Sequence, residues 1–226
     1  MQTAAAPLVA KTTTDIVFDR LYEEISSLVL LPGARISETE VADRLGVSRQ
    51  PVRDAFNRLA NLDLLLIRPQ RATVVRGFSF ERIETVRFVR LSVELEVITR
   101  ACAKWSHEND KVLAANIARQ GDAVAAGRIE DIHALDYDFH KHICDFSGYP
   151  LAFETIQHCK HSVDRLCVLS LKEKHEAKAI VEDHQAIADA LAAGSVDQAR
   201  AALTHHLSRL DRTIQELHEH HAHFFE

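Results

Sequence analysis

The chain has 226 residues, 46% of them hydrophobic and 27% charged, with a formal net charge of −6. That length allows one large or two smaller domains with a real core, and the apolar runs are too short to span a membrane. The charge argues against nucleic acid only while the chain is treated as one body. Seven glycines and five prolines point to a mostly helical protein. Cys102, Cys144, Cys159 and Cys167 form no CxxC pair and read as reduced core thiols, and the start of the chain lacks a long apolar leader, so a cytoplasmic protein is expected.

Residues 1–13 are small and polar, lack periodicity, and read as a disordered tail. From about Thr14, Val17, Leu21, Ile25 and Leu28 repeat on one helical face. Leu31-Pro32-Gly33 closes the connection, and Ser37-x-x-Glu40 is a capping box opening a helix with Val41 and Leu45. Gly46-Val47 then turns the chain into a second helix with Ser48 as N-cap and Pro51 in its first turn, where a missing N–H costs little. The pair is a helix-turn-helix, whose second helix enters the major groove N-terminus first. Leu64–Arg68 and Thr73–Arg76, around Pro69-Gln70-Arg71-Ala72, predict a β-hairpin wing.

Local charge supports this reading. Between Arg44 and Arg76 seven arginines face only Asp54 and Asp63, a local net of about +5 that leaves about −11 elsewhere. Arg49, Gln50 and Arg53, at the start of the second helix, are the candidates for base edges or nearby phosphates. Arg58, Arg68 and Arg71 are placed for the sugar-phosphate backbone or the minor groove. The run Leu31–Glu38, followed by Val41-Ala42-Asp43-Arg44-Leu45-Gly46-Val47-Ser48-Arg49-Gln50-Pro51-Val52-Arg53-Asp54-Ala55, resembles the GntR family of bacterial transcription regulators. The resemblance implies a DNA-binding domain over 14–77. Two positions depart from it: Ala72 stands where the family usually has a wing glycine suited to positive φ, and Thr39 where some relatives have a DNA-contacting arginine.

Gly77-Phe78-Ser79 marks a boundary, and residues 78–226 carry only helical periodicity. Helices are expected over about 80–106, 110–126, 130–146, 151–172, 177–193 and 196–222, the last opened by a Ser195-x-x-Gln198 capping box. Six helices on short connections form an antiparallel bundle. The fold class is thus mainly α: a winged helix-turn-helix followed by an all-α bundle.

Four polar residues fall where the bundle's periodicity calls for apolar ones. Asp136 and His140 share a helix face with Ile132 and Ile143; His184 lies between Ile180 and Ile187; His206 lies among Ala202, Leu203 and Leu210. Each histidine alone reads as an ordinary hydrogen-bonded residue, but an inward Asp and three inward His satisfy one another best around a divalent cation. His205 points about 100° away from His206. The terminal His218, His220, His221 and His223 read as an adventitious metal binder. Arg90 falls on the stripe of Val86, Val93 and Val97, either as an ion pair with Glu94 or as a clamp for a carboxylate; Arg165 is a weaker candidate for the same role.

Leu135-Asp136-Tyr137-Asp138-Phe139-His140, Asp183-His184-Gln185-Ala186-Ile187 and Ala199-Arg200 through His206-Leu207 resemble the FCD effector domain of the FadR subfamily. That resemblance implies a divalent ion, zinc foremost with nickel, iron or manganese as alternatives, that helps bind a small organic acid. Tyr149 stands where relatives often carry Asn, at the expected pocket rim. The expected protein is a dimeric regulator on a palindromic operator, a repressor whose effector acid modulates DNA binding. The rivals are a metal-dependent hydrolase or oxygenase fused to a DNA-binding segment, and a scaffold with a structural metal.

Overall fold

The computed structural model describes residues 11–170 and 174–226, with only the backbone described at a few helix positions. It divides into two units, residues 1–77 and 78–226. The expected 1–13 tail lies almost wholly outside the described residues.

In the first unit, helices α1 (Thr13–Ser26), α2 (Glu38–Leu45) and α3 (Arg49–Asn61) enclose a core with a small sheet of β1 (Arg35–Ile36), β2 (Leu65–Leu66) and β3 (Thr73–Val75). Val17, Leu21 and Ile25 meet Val52, Ala55, Phe56 and Leu59 because both sets recur at the spacing of one helix face. Thr12 and Asp15 cap α1 reciprocally. Ser37 accepts from the Glu40 N–H at 3.1 Å, so the first half of its expected box is present. Gly46, at φ +66°, ends α2 in the left-handed conformation that lets the chain turn into α3. Ser48 takes the N-cap position of α3 without a side-chain cap bond.

The wing differs from expectation in one detail. The positive φ falls on Gln70, at +57°, and not on Ala72, so no glycine is needed where the family usually has one. The hairpin pairs Leu65 with Val75 and Leu66 with Val74, while β1 pairs Arg35 with Val74 on the other side of β3.

The second unit is built from α4 (Phe80–Ala103), α5 (His107–Ala125), α6 (Ile129–Ser147), α7 (Ala152–Ser170), α8 (Lys174–Ala192) and α9 (Val196–His221), each close to its expected span. Its main core gathers Ile98, Leu113, Ile117, Phe139, Ile187, Leu191 and Leu203. Ser195 makes no side-chain cap bond at α9, so that expected capping box is not realised. Cys102, Cys144 and Cys159 are buried free thiols; the Cys167 side chain lies outside the described residues. Past α9 the Phe78 N–H donates to Phe224 O, and the Glu226 N–H donates back to Phe78 O, each at 2.8 Å. His218 packs edge-on to Phe80 and Phe225, so this residue of the His-rich end serves an aromatic cluster. No helix among the described residues is long and apolar enough to cross a membrane.

Phe56 is 1% exposed at the centre of the first core. Phe56→Ala is expected to destabilise the DNA-reading unit by roughly 3–5 kcal/mol, measured by denaturant unfolding.

Candidate metal centre and DNA-reading helix

Three helices of the second unit converge on one buried point. Asp136 and His140 stand one turn apart on α6, His184 lies within α8, and His206 lies on α9. One ligand atom from each lies within 4.8 Å of all the others. The histidines are 1%, 0% and 8% exposed in that order. Asp136 Oδ1 faces all three, at 3.6 Å from His140 Nε2, 3.3 Å from His184 Nε2 and 3.8 Å from His206 Nε2. His205, the rejected competitor, is 63% exposed at its side chain.

The outer atom of each residue already has a neighbour. Lys160, on α7, donates to Asp136 Oδ2. His140 Nδ1 lies 2.6 Å from Glu94, His184 Nδ1 2.8 Å from Gln120 Oε1, and His206 Nδ1 3.5 Å from Asp183. Asp183 is in turn gripped by Arg209 through two donors.

These partners dictate which ring nitrogen keeps its lone pair. The Arg90 guanidinium only donates, and it lies 3.1 Å from His140 Nε2, so the Nδ1 proton turns to Glu94. For His184 the chain of reasoning begins at the backbone. Asn116 donates to Leu135 O at 3.1 Å, leaving its own oxygen to accept from Gln120 Nε2 at 2.6 Å. Gln120 therefore presents its carbonyl to His184 and requires an N–H at Nδ1. The buried Nε2 of His184 is left with no hydrogen-bond partner. One carboxylate oxygen and three imidazole nitrogens converging inside are the donor set of a divalent transition ion, and these residues fit one with the Arg90 donor withdrawn from His140 Nε2.

The electrostatics agree. Burial pushes His184 down to about 3, with the nearby His206 and His140 adding to it, and burial likewise lowers His206. Burial also disfavours charge on His140, but the Glu94 and Asp136 carboxylates outweigh it and raise that pKa. Burial works against ionised Asp136, yet Lys160 and His140 hold it well below the usual carboxylate range. Burial pushes the Cys144 thiol up to about 12, consistent with an inert core thiol.

Arg90 realises one of its two expected roles directly, donating to Glu94 at 2.6 Å. It also lines a cavity of about 380 Å³ between α4 and α9. Arg165 lies elsewhere: it is buried, with its guanidinium 4.7 Å from the Phe78 ring centroid, beside a separate apolar cluster that includes Leu166 and Ile214. Tyr149 accepts from Arg100 at 3.0 Å and stacks under it and Lys104 at the end of α6.

In the first unit, Arg49, Gln50 and Arg53 stand exposed on the opening turns of α3. Glu38, from α2, holds Arg53 through both carboxylate oxygens at 3.0–3.2 Å and reaches Arg49 at 3.8 Å, so it orients the pair. Gln50 donates to Asp54 at 2.9 Å. Arg68 and Arg71 are exposed at the wing tip. Arg58 donates to Asp15 at 2.7 Å and its guanidinium covers the Phe18 ring at 4.1 Å, tying α3 to α1.

A winged helix-turn-helix joined to a helical body is the build of a DNA-binding transcription regulator. Residues 13–75 match the model of the bacterial regulatory proteins of the gntR family, and residues 85–209 match the FCD domain. The chain is 30% identical over 209 residues to the HTH-type transcriptional repressor RspR of Escherichia coli K12, covering 92% of each protein. It is also 30% identical to an HTH-type transcriptional regulator of Streptomyces ambofaciens, over 93% of this chain and 88% of that one. In fold it resembles Escherichia coli McbR/YncC, with a TM-score of 0.75 at 22% identity, over 92% of this chain and 99% of that one. The chain belongs to the GntR family of bacterial regulators and, through its FCD domain, fits the FadR-type subfamily.

Two outcomes are expected at the centre. Gln120→Leu removes the acceptor that fixes His184 and should weaken zinc binding by about 10–100-fold, while Gln120→Glu should restore most of it, as read by competition with a chromophoric chelator. Metal-free protein should lose stability as pH falls below about 6.5, because unfolding lets His184 and His206 take protons they resist when folded. His140 is shifted upward, so its contribution is fully present below that pH and does not offset the loss. Calorimetry between pH 7 and pH 5 should show a falling melting temperature.

Proposed function

We propose that this protein is a cytoplasmic, homodimeric, ligand-responsive repressor, in which Asp136, His140, His184 and His206 hold a divalent ion and a small organic acid binds there. The carrying observation is the convergence of four inward donor atoms, on residues whose outward atoms lie beside Lys160, Glu94, Gln120 and Asp183. When bound, the ion would act as a Lewis acid anchoring a carboxylate. Three imidazoles and one carboxylate favour zinc, with nickel, iron and manganese as alternatives. Arg90 supplies a second, directional contact for the acid, since its guanidinium lies beside His140 and in the cavity wall.

Arg49, Gln50 and Arg53 read bases in this proposal, and Arg68 and Arg71 grip the backbone or minor groove. Arg58 acts indirectly, by fixing α3 on α1. Each copy brings a single recognition helix, so two copies on a palindrome would place two helices in successive major grooves. The acid modulates affinity by favouring one separation of the two helices over another. The repressor assignment is supported by the description of the relative from Escherichia coli K12.

Thermal shift against a panel of carboxylic acids, with and without chelator, combined with operator gel shifts, tests the reading. An acid should stabilise only metal-loaded protein and change operator affinity. His184→Ala should abolish that response and retain operator binding. Arg53→Ala should weaken operator binding by about 5–150-fold, the equivalent of ~1–3 kcal/mol for a lost bidentate base contact. Acid stabilisation that survives chelation, or an operator complex indifferent to Arg49→Ala and Arg53→Ala, contradicts it.

A further inference from the structure

The arginines offered to DNA by the first unit fall into two sets, according to what stands beside them. Arg53 donates through Nε and Nη2 to the oxygens of Glu38 at 3.0–3.2 Å, and Arg49 Nη2 lies 3.8 Å from the same carboxylate. Arg68 and Arg71, exposed on the wing, have no carboxylate partner among the described residues. Glu38 is the fixed member of the first set: its side chain is 26% exposed, against 52% for Arg53 and 62% for Arg49. It opens α2 and reaches α3 across the turn at Gly46, so the pairing is built by the helix-turn-helix and not by spacing within one helix.

The fork leaves a definite remainder. A guanidinium has five N–H donors, and the Nε–Nη2 edge of Arg53 commits two of them to Glu38. The Nη1 donors and the outer Nη2 donor stay available, and they form the end-on pair that guanine O6 and N7 accept. Contact with a base edge therefore does not require Glu38 to leave. Contact with phosphate differs in kind. Base acceptors are neutral, whereas phosphate oxygens are charged. A carboxylate 3.0 Å from the guanidinium repels them and cancels much of the arginine's attraction. The pair is close to neutral toward a backbone, yet still a donor toward a base.

We infer that Glu38 is a specificity-determining residue of the DNA contact: it withholds the charge of Arg49 and Arg53 from the phosphate backbone and leaves their N–H groups to base edges. It is a positioning residue that acts through the two arginines, and the inference rests on the reading of Arg49 and Arg53 as base readers. Arg68 and Arg71 supply the phosphate attraction. Sequence-independent affinity comes from charges that displace counterions, so masking charge on the reading helix weakens binding to wrong DNA more than to right DNA.

The test uses full-length protein, a duplex that it selects from a random-sequence library, and a scrambled duplex of the same length and composition. Binding is read by fluorescence anisotropy across a range of potassium chloride concentrations. Glu38→Gln keeps an acceptor for Arg53 and removes the charge. It should bind the scrambled duplex at least about fivefold more tightly, with the slope of log K against log[salt] steeper by about 1. Affinity for the selected duplex should change by less than about twofold, so discrimination falls. Glu38→Asp, which keeps the charge, should hold the wild-type slope. In an Arg49→Gln/Arg53→Gln background, Glu38→Gln should lose most of its gain, whereas a general loss of surface charge would act without the arginines. Unchanged scrambled affinity and slope, equal weakening on both duplexes, or a gain that persists in full without the two arginines overturns the inference. If Arg53→Ala weakens the selected duplex in those cases, base reading by α3 stands and only the role of Glu38 falls. Indifference of the selected duplex to Arg49→Ala and Arg53→Ala overturns both.

Discussion

Burying one carboxylate and three imidazoles together leaves lone pairs facing lone pairs unless something positive sits between them, and the second unit is arranged around that constraint. Its helices do more than bring Asp136, His140, His184 and His206 to one place. They take up the outer atom of each, through Lys160, Glu94, Gln120 and Asp183, so that the inner atoms have a fixed direction. Four helices supply those outer partners: α4, α5, α7 and α8. A displacement of any one of them would therefore change the geometry of the cluster, and under the proposed function an ion or ligand held there would bias the packing of all four.

The same logic operates on a smaller scale in the first unit. Glu38 holds Arg53 and reaches Arg49, so the two arginines expected to read bases leave α3 in a defined direction before DNA arrives. Arg58 is held within the unit by Asp15 and the Phe18 ring. An exposed arginine on a basic helix has two fates, and the sequence pattern alone does not separate them.

Much of the architecture was legible because it rests on period and punctuation. Helix spans followed apolar spacing, Gly46 marked the turn, and the Asp136–His140 spacing with inward His184 and His206 pointed to the four side chains that cluster. What escaped was whatever depends on a partner remote in sequence. Gln120 looks like any polar residue of α5 until Asn116 and the Leu135 carbonyl fix its orientation. Lys160 and Asp183 are common residues on helical patterns, and burial against the centre gives them meaning. β1 is two residues long and has no period to read. The Ser195 box failed although its residues were correct, since spacing permits a cap bond without compelling it. The contact of the Arg165 guanidinium with the Phe78 ring is of the same kind, since no spacing along α7 announces it.

The account depends most on an ion held by three imidazoles and one carboxylate. X-ray absorption of untagged, zinc-loaded full-length protein, alongside its metal content, tests that directly. One ion per chain is predicted, with the scattering of three imidazoles at the zinc edge, falling by one imidazole in His184→Ala. Substoichiometric metal, or a spectrum unchanged by that substitution, would contradict it.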